Sequence, residues 1–599
     1  MNTKSQADLI PAMFISTAIA MIFTQLAGYG AVLIDGIITS RILGSQAYSG
    51  VSLLGPFNGI VLLLSSAVSV SAQVVSSQAI GRGNRDKATS AFTAALILDG
   101  IFAAMLVLMC IVWPSVILRV CGVTQTSHPS IYPHMLSYLR GYMYGIPFIM
   151  LIQVIGPIIV MDSGKALFSA SAFVLFGADA AGDLLNAFVF HGGTFGMGIA
   201  TTVSYILQAL VLLPHFMKRN SYFRLSLKGF TVMHIPEMIE AALPTFTLKL
   251  ATALRDLAVN RINIYVALTT AAIAARGMQN DINTVLFCFS MGMSKTLLTM
   301  TGMFYGAYDR RGLTRLFMSA VKMAFAVSGT IGLITFLCAE WIAMCFTDEP
   351  EVIEFAAFSI RCMSIALIPD NLAVLYQHYL QGINQRKIVN IINFASRFFI
   401  PVITAFILGM SFGSRGIMAS IAASNFVLLA FIAAIVFVRT GSLRKFLLLP
   451  DDFGGDDDTN IYASITSEAD VVHESQRAEE FCLEHGVSRR NAKLMALFVE
   501  ETGVIILEHG KPKLWQDFSM DYRLSLNGGK LCITLRDRCG HFDPSAFYSE
   551  HKDDAMEEVS GMKIVLGLAD DVRYFNAFNS NNIMIYLDSV KGAKQSERS

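Results

Sequence analysis

Four carboxylates sit where a polypeptide rarely puts them. Asp35, Asp179, Asp183 and Asp370 fall within long apolar stretches, and an aspartate at the centre of a membrane-spanning helix costs roughly 2.5–3.5 kcal/mol on insertion scales. Asp179 and Asp183 are four residues apart, hence on one face of a helix. Counted from Lys165, Asp183 is roughly 27 Å along that helix at about 1.5 Å per residue, so it reaches the far half of its span, where Asp35 also falls. Clustered carboxylates in a low dielectric cannot all stay charged, which suits such a group to binding a proton or Na⁺. Uptake of the ion neutralises charge, and that can change helix packing or expel a cationic substrate. The alternative is that some of these aspartates cap helix ends or face water at the outer surface.

A second polar group is Lys249, Arg255, Asp256, Arg261, Gln279, Asn280, Asp281 and Asn283, in two successive apolar stretches. It reads in two ways: a wet substrate cavity with Asp256, Asp281, Gln279 and Asn283 on its wall, or mutual neutralisation, for example Arg255 with Asp281, that orients helices. The 29 methionines and 42 phenylalanines would suit a site for variable apolar cations, though most serve lipid contact or the core. Nine cysteines without a CxxC pair read as small core residues rather than disulfides or metal ligands.

The elements that must position these groups follow from composition. At 599 residues, 54% hydrophobic and 15% charged, with a mean hydropathy of +0.54, the chain is a polytopic membrane protein rather than one soluble domain, whose charged fraction would be about 25%. Its formal net charge of zero gives no global case for nucleic acid. Twelve stretches reach the ~20 apolar residues a crossing helix needs, near 11–37, 47–75, 88–114, 136–160, 166–190, 195–217, 238–268, 272–303, 316–346, 352–383, 388–410 and 414–438. Every even-numbered loop is basic: Arg82, Arg85 and Lys87 follow span two and Arg310, Arg311 and Arg315 follow span eight. The loop after span nine is acidic, Asp348-Glu349-Pro350-Glu351. The positive-inside rule then puts both ends of the membrane part in the cytoplasm, and the first span, with no small-residue cleavage site, reads as retained.

The halves echo each other. Gly81-Arg82-Gly83-Asn84 ends span two much as Tyr305-Gly306-Ala307-Tyr308 ends span eight, Gly164 matches Gly382, and Gly198-Ile199 matches Gly416-Ile417. Such a repeat argues for two six-helix lobes with the substrate held between them. The run Ile34-Asp35-Gly36-Ile37-Ile38-Thr39-Ser40-Arg41-Ile42-Leu43-Gly44 resembles the first-helix motif of the multidrug and toxin extrusion (MATE) family, and the Gly-basic turns after spans two and eight resemble its paired loop signatures. The resemblance covers the first 440 residues or so. It implies that Asp35 and Asp183 occupy the ion-coupling positions of one branch, with Asp179 standing where that branch commonly has Asn. Asp370, twelve residues before Gly382, has a spacing similar to that of a Na⁺-binding aspartate in the other branch. The glutamate expected to partner it is replaced by Thr252, with Asp256 one turn on as a substitute.

Solvent changes near Leu449. Pro450-Asp451-Asp452-Phe453-Gly454-Gly455-Asp456-Asp457-Asp458 opens a soluble segment whose periodicity predicts helices at Ala469–His485, Ser488–His509 and Met562–Ala569. Strands are expected near Tyr522–Leu526, Lys530–Arg536, Val572–Phe575 and Asn582–Leu587, giving a cytosolic α/β sandwich. Asp537-Arg538-Cys539-Gly540-His541-Phe542-Asp543-Pro544 resembles the adenine-binding loop of the histidine-kinase-like (GHKL) ATPases, in their anti-sigma-factor serine kinase branch. That resemblance implies Glu501, Asp537, Gly540 and Gly561 as nucleotide-binding candidates. Ile505 stands where the branch has its Mg²⁺-binding asparagine, and an apolar side chain cannot hold a hard cation; with the glycine-rich loops eroded too, phosphoryl transfer is not expected.

The expected organisation is thus an all-α polytopic membrane protein: one lobe at 1–228, a second at 229–446, an acidic linker at 447–467, a GHKL-like cytosolic domain at 468–590 and a tail at 591–599. The expected function is a MATE-type efflux antiporter in the plasma (inner) membrane, not an enzyme, exporting small amphipathic compounds or organic cations by alternating access. H⁺ or Na⁺ would drive it at Asp35, Asp179, Asp183 and Asp370. No cofactor is required for transport, ATP is an expected ligand of the tail domain only, and a cytosolic regulatory protein is an expected partner. The rivals are a membrane-tethered serine kinase and a flippase for lipid-linked substrates.

Overall fold

Long helices fill the first 440 residues of the computed structural model, which describes residues 9–218, 221–223, 234–265, 270–455, 457–509, 519–527, 529–538, 542–550 and 557–588. Leu9–Ile38, Gly55–Gly81 and Arg85–Val112 form the first three spans. Span four is bent by 53° between Tyr132–Tyr142 and Ile146–Met161, and Lys165–Leu185 and Gly193–Leu212 complete the first lobe. Ile235–Tyr265, Thr270–Gly306, Arg310–Leu337, Pro350–Gly382, Arg386–Phe394 and Ile400–Thr440 form the second.

By apolar length alone, eight helices among the described residues can cross a membrane, or nine if the bent pair is one span. This differs from the expected twelve for physical reasons. Ile235–Tyr265 carries six charged residues, and in Thr270–Gly306 the run Gln279-Asn280-Asp281 with Asn283 and Lys295 dilutes the apolar stretch. The expected spans eleven and twelve run on as one helical stretch to Thr440, interrupted at Gly413, whose φ of 59° and ψ of −139° only glycine adopts without strain.

The internal repeat is visible in the backbone. After span two, Gly83 takes a left-handed φ of 65°, and after span eight Tyr308 takes 53°. In each case the next residue caps the following helix: Asn84 accepts from the Lys87 amide at 2.9 Å and Asp309 from the Gly312 amide at 2.7 Å. After spans four and ten, Ser163 and Asn384 are left-handed at 61° and 60°. Spans two and eight also touch each other at this end. A methyl group on Gly81 would run into the Met303 carbonyl and one on Gly306 into the Gln78 carbonyl, so glycine is what lets the two lobes close here. Gln78 Nε2 donates to the Gly382 carbonyl at 2.8 Å, and Asn384 Nδ2 donates back to Gln78 Oε1 at 2.9 Å.

The tail domain is a five-stranded antiparallel sheet in the order β1-β2-β3-β5-β4 (β1 Asn460–Ile465, β2 Met520–Asn527, β3 Lys530–Asp537, β4 Asp571–Ala577, β5 Ser580–Asp588). The helices Glu468–Glu484, Arg489–His509 and Glu557–Leu568 cover one face. Four strands and three helices lie where periodicity puts them. β1 falls in the stretch read as acidic linker; it is a short edge strand without clean alternation, paired with β2 from Asn460↔Ser525 to Ile465↔Met520. Ser467 and Asp470 form a capping box at the start of the next helix.

Strand alternation divides the sheet by chemistry. Tyr522, Leu524, Ile533, Leu535, Ile583 and Ile585 enter the domain's own core. The opposite face presents Arg523, Arg536, Phe575 and Met584, and it rests on the basic-loop end of the membrane part. Phe575, Ala577, Phe578 and Met584 join the membrane part's core. Arg523 donates to the Ala307 carbonyl at 3.1 Å and the Tyr308 carbonyl at 2.8 Å, supplying donors where a helix end leaves carbonyls without partners. Arg536 lies 3.7 Å from Asp309, and Arg573 donates to the Arg82 carbonyl. The two-residue turn between β4 and β5 plugs in beside span four: the Phe578 amide donates to the Met161 carbonyl at 3.0 Å and the Asn579 amide to Ser163 Oγ at 2.8 Å. Arg82, Met161 and Ser163 belong to the first lobe, Ala307, Tyr308 and Asp309 to the second. The sheet therefore bridges both lobes, and the connecting segment is tied down as well, with Phe453 stacked on Tyr305 at 5.0 Å and Lys445 paired to Asp451 at 2.7 Å.

Candidate functional site

The first-lobe carboxylates lie where helix geometry changes. Asp35 ends the first span just before a π-helical turn, Thr39–Leu43, and accepts from Thr39 Oγ1 at 3.1 Å. Asp183 precedes a second π-turn, Asn186–Phe190. Such turns widen the helix by one residue and are frequent at functional sites. Asp179, 5% exposed, accepts from Ser204 Oγ at 3.1 Å. Asp183 is fully buried and neither of its oxygens has a hydrogen-bond partner. The three acids lie within electrostatic reach of one another, and Tyr138 and Tyr205 stand beside Asp179. The structure thus assembles Asp35, Asp179 and Asp183 as their spacing suggests. An uncompensated buried charge is expensive, so a group of this kind is suited to taking up a proton or a cation.

One acid was not singled out from the sequence. Asp99, in the third span, is 3% exposed, with Oδ1 unpartnered. Its signal was the same as that of the others, a carboxylate inside an apolar run (Leu96-Ile97-Leu98-Asp99-Gly100).

In the second lobe Arg255 pairs with its neighbour Asp256 at 2.8 Å; the Asp281 side chain, named as a partner for it, lies outside the described residues. Gln279 is buried, with Nε2 3.5 Å from the Ser359 carbonyl, so it belongs to helix packing rather than to a cavity wall, whereas Asn283 is exposed. The charge that faces Asp370 is Arg397, not Asp256, because Asp256 turns to Arg255 on its own helix. Arg397 occupies a third π-turn, Ala395–Phe399, and went unremarked as one basic residue in an apolar run.

In the tail, Asp537 is 2% exposed and accepts from Asn581 Nδ2 at 2.9 Å, so its carboxylate is engaged by the neighbouring strand rather than open to an adenine. A methyl group on Gly561 would collide with the Glu501 carboxylate, which fills the space over that helix. Ile505 is a core residue at 2% exposure. Gly540 lies outside the described residues. Among the described residues no group of three or more His, Cys, Asp or Glu could hold a metal ion.

The sequence profile of the MatE family matches residues 20–175 and 250–407, one stretch in each lobe. The chain belongs to the MATE family. A probable multidrug resistance protein NorM from Photorhabdus laumondii subsp. laumondii is 21% identical over 424 residues, 68% of this MATE chain and 84% of the NorM. A FAD transporter from Shewanella oneidensis is 22% identical over 349 residues, 56% and 74% of the two chains. Among solved structures, the outward-facing conformation of a multidrug resistance MATE family transporter superposes with a TM-score of 0.67 at 19% identity, over 73% of this chain and 97% of that one. The MATE fold therefore accounts for the membrane part. The family match ends before the tail begins, so the GHKL resemblance of residues 468–590 rests on sequence motifs alone.

Proposed function

We propose that this MATE transporter is a multidrug efflux antiporter that exports small amphipathic compounds, organic cations among them, by alternating access between its lobes. H⁺ or Na⁺ taken up at Asp35, Asp179 and Asp183 drives the cycle. The observation that carries this reading is Asp183, fully buried with both oxygens unpartnered beside two further acids. Ion uptake removes the cost of that charge, and ion release restores it, so the helix face bearing it has reason to repack. The relatives' names span drug resistance and FAD transport, so the substrate is not carried over from a name.

The protein would sit in the plasma membrane with the basic loops, both termini and the tail on the cytoplasmic side, a reading supported by the placement of Arg82, Arg85, Arg310 and Arg311 at the tail-bearing end. The tail would act as a regulatory module, since its sheet is fastened to both lobes. The buried Asp537, engaged by Asn581, and the buried Ile505 weigh against the serine kinase alternative; Mg²⁺-dependent ATP turnover by the full chain would revive it.

The test is gradient-driven efflux from proteoliposomes with an imposed ΔpH or ΔNa⁺. Asp35→Asn and Asp183→Asn are expected to abolish efflux while inserting normally, and the gradient that drives the wild type identifies the ion. Undiminished efflux by both variants would sink the assignment.

A further inference from the structure

The two lobes differ in the sign of the charge they offer. In the first lobe Asp99, Asp179 and Asp183 are withdrawn, all 5% exposed or less, with Asp35 half-buried. In the second the basic side chains outnumber the acid beside them: Lys249 is exposed, and Lys295, Arg397, His378 and Asp370 are half-buried. Four elements supply them: Lys249 from Ile235–Tyr265, Lys295 from Thr270–Gly306, His378 from Pro350–Gly382 and Arg397 from the π-turn.

Their depths agree. Counted from the Glu240–Arg386 ion pair and from the helix end at Gly306, the residues Lys249, Lys295 and Arg397 lie roughly 14–17 Å in at about 1.5 Å per residue. That is near the midplane of a ~30 Å core, where transporters hold their substrates. They also lie near one another. Arg397 is within electrostatic reach of Lys249, His378 and Asp370, and His378 is within reach of Lys295.

Among the described residues the group is neutralised only in part. The side chains of Lys249, Lys295 and Arg397 have no hydrogen bond or ion pair to a described residue, and Asp370 is the carboxylate that reaches Arg397. Arg255 and Asp256 cancel each other. Like charges brought together at the midplane repel strongly, and an arrangement of this kind is relieved by an anion. Two compact ammonium groups and one planar guanidinium suit a carboxylate or phosphate.

We infer that the second-lobe midplane is the place where the transported compound is held by an anionic group, so that the chain exports amphipathic organic anions or zwitterions in preference to simple cations. The inference rests on the transporter reading above and refines its substrate class. The withdrawn acids of the first lobe are left for the coupling ion, and the two lobes divide the work.

Two xanthene dyes of similar shape and opposite charge, carboxyfluorescein and rhodamine 123, test it in proteoliposomes of the full chain under the driving gradient. Carboxyfluorescein is expected to be transported. Arg397→Gln should raise its KM about tenfold and leave that of rhodamine 123 unchanged, with Lys295→Gln acting in the same direction and Arg397→Lys recovering most of the loss. Transport of rhodamine 123 without carboxyfluorescein, or an equal effect of Arg397→Gln on both dyes, would overturn the inference while leaving the antiporter intact. If neither dye moves, fluorescence anisotropy with the purified chain decides: carboxyfluorescein bound more tightly than rhodamine 123, and weakened by Arg397→Gln, supports the site, and no preference refutes it.

Discussion

Asp183 shows how a single side chain can be poor for the fold and still suit the function proposed for it. A carboxylate with neither oxygen partnered at zero exposure contributes nothing to packing that an amide or an apolar residue of similar size would not improve. Asp183→Asn is therefore expected to stabilise the protein in detergent by roughly 1–3 kcal/mol, seen as a raised melting temperature, in the same variant that loses coupling. Unchanged or lowered stability would mean that the acid has a partner in solution. At this scale the sequence was informative where cost was visible. Asp35, Asp179 and Asp183 announce themselves as carboxylates in apolar runs, and the structure groups them. Arg397 and Lys295 carry the same cost but were passed over, because a lone basic residue in a long span also reads as one reaching for the interface. Gln279 is buried against the Ser359 carbonyl, a placement that helical position alone does not show.

Among elements, the close crossing of spans two and eight governs which way the bundle can open. Gly81 and Gly306 allow backbone contact across the lobe boundary, and the carbonyls they face cannot give way as a flexible side chain would. Gly306→Ala is expected to spread the basic-loop end. Paired with Ser77→Cys, whose parent Ser77 is fully buried at that crossing, it should turn a protected thiol into one that a membrane-impermeant maleimide labels at least several-fold faster. Equal labelling with and without the alanine would show that the crossing does not seal this end. The repeat that builds the crossing was legible in Gly81 and Gly306, because glycines in turn positions leave a readable mark. Spans seven and eight are legible by length, though the charges of the first and the amide-rich run of the second keep them from standing out as apolar helices. β1 stayed hidden, since six edge residues next to an aspartate run look like linker until β2 pairs with them.

At the scale of the whole molecule, the sheet joins Arg82, Met161 and Ser163 of one lobe to Ala307, Tyr308 and Asp309 of the other. Lobes that separate at this end must first shed those contacts. Arg523→Ala combined with Arg573→Ala is expected to free the tail, raising limited proteolysis near 450–460 and speeding transport severalfold; slower transport with a released tail would make the domain a support rather than a restraint. The turn that plugs in beside span four sharpens this. Phe578 and Asn579 hold left-handed φ of 54° and 58°, the pair of angles that a two-residue type I′ hairpin turn requires, so the hairpin sets the turn's shape whether the tail is docked or free. The tail is thus a preformed key: it can leave and re-enter its seat beside span four without a folding step, and how often it does so would set how long each closed interval lasts.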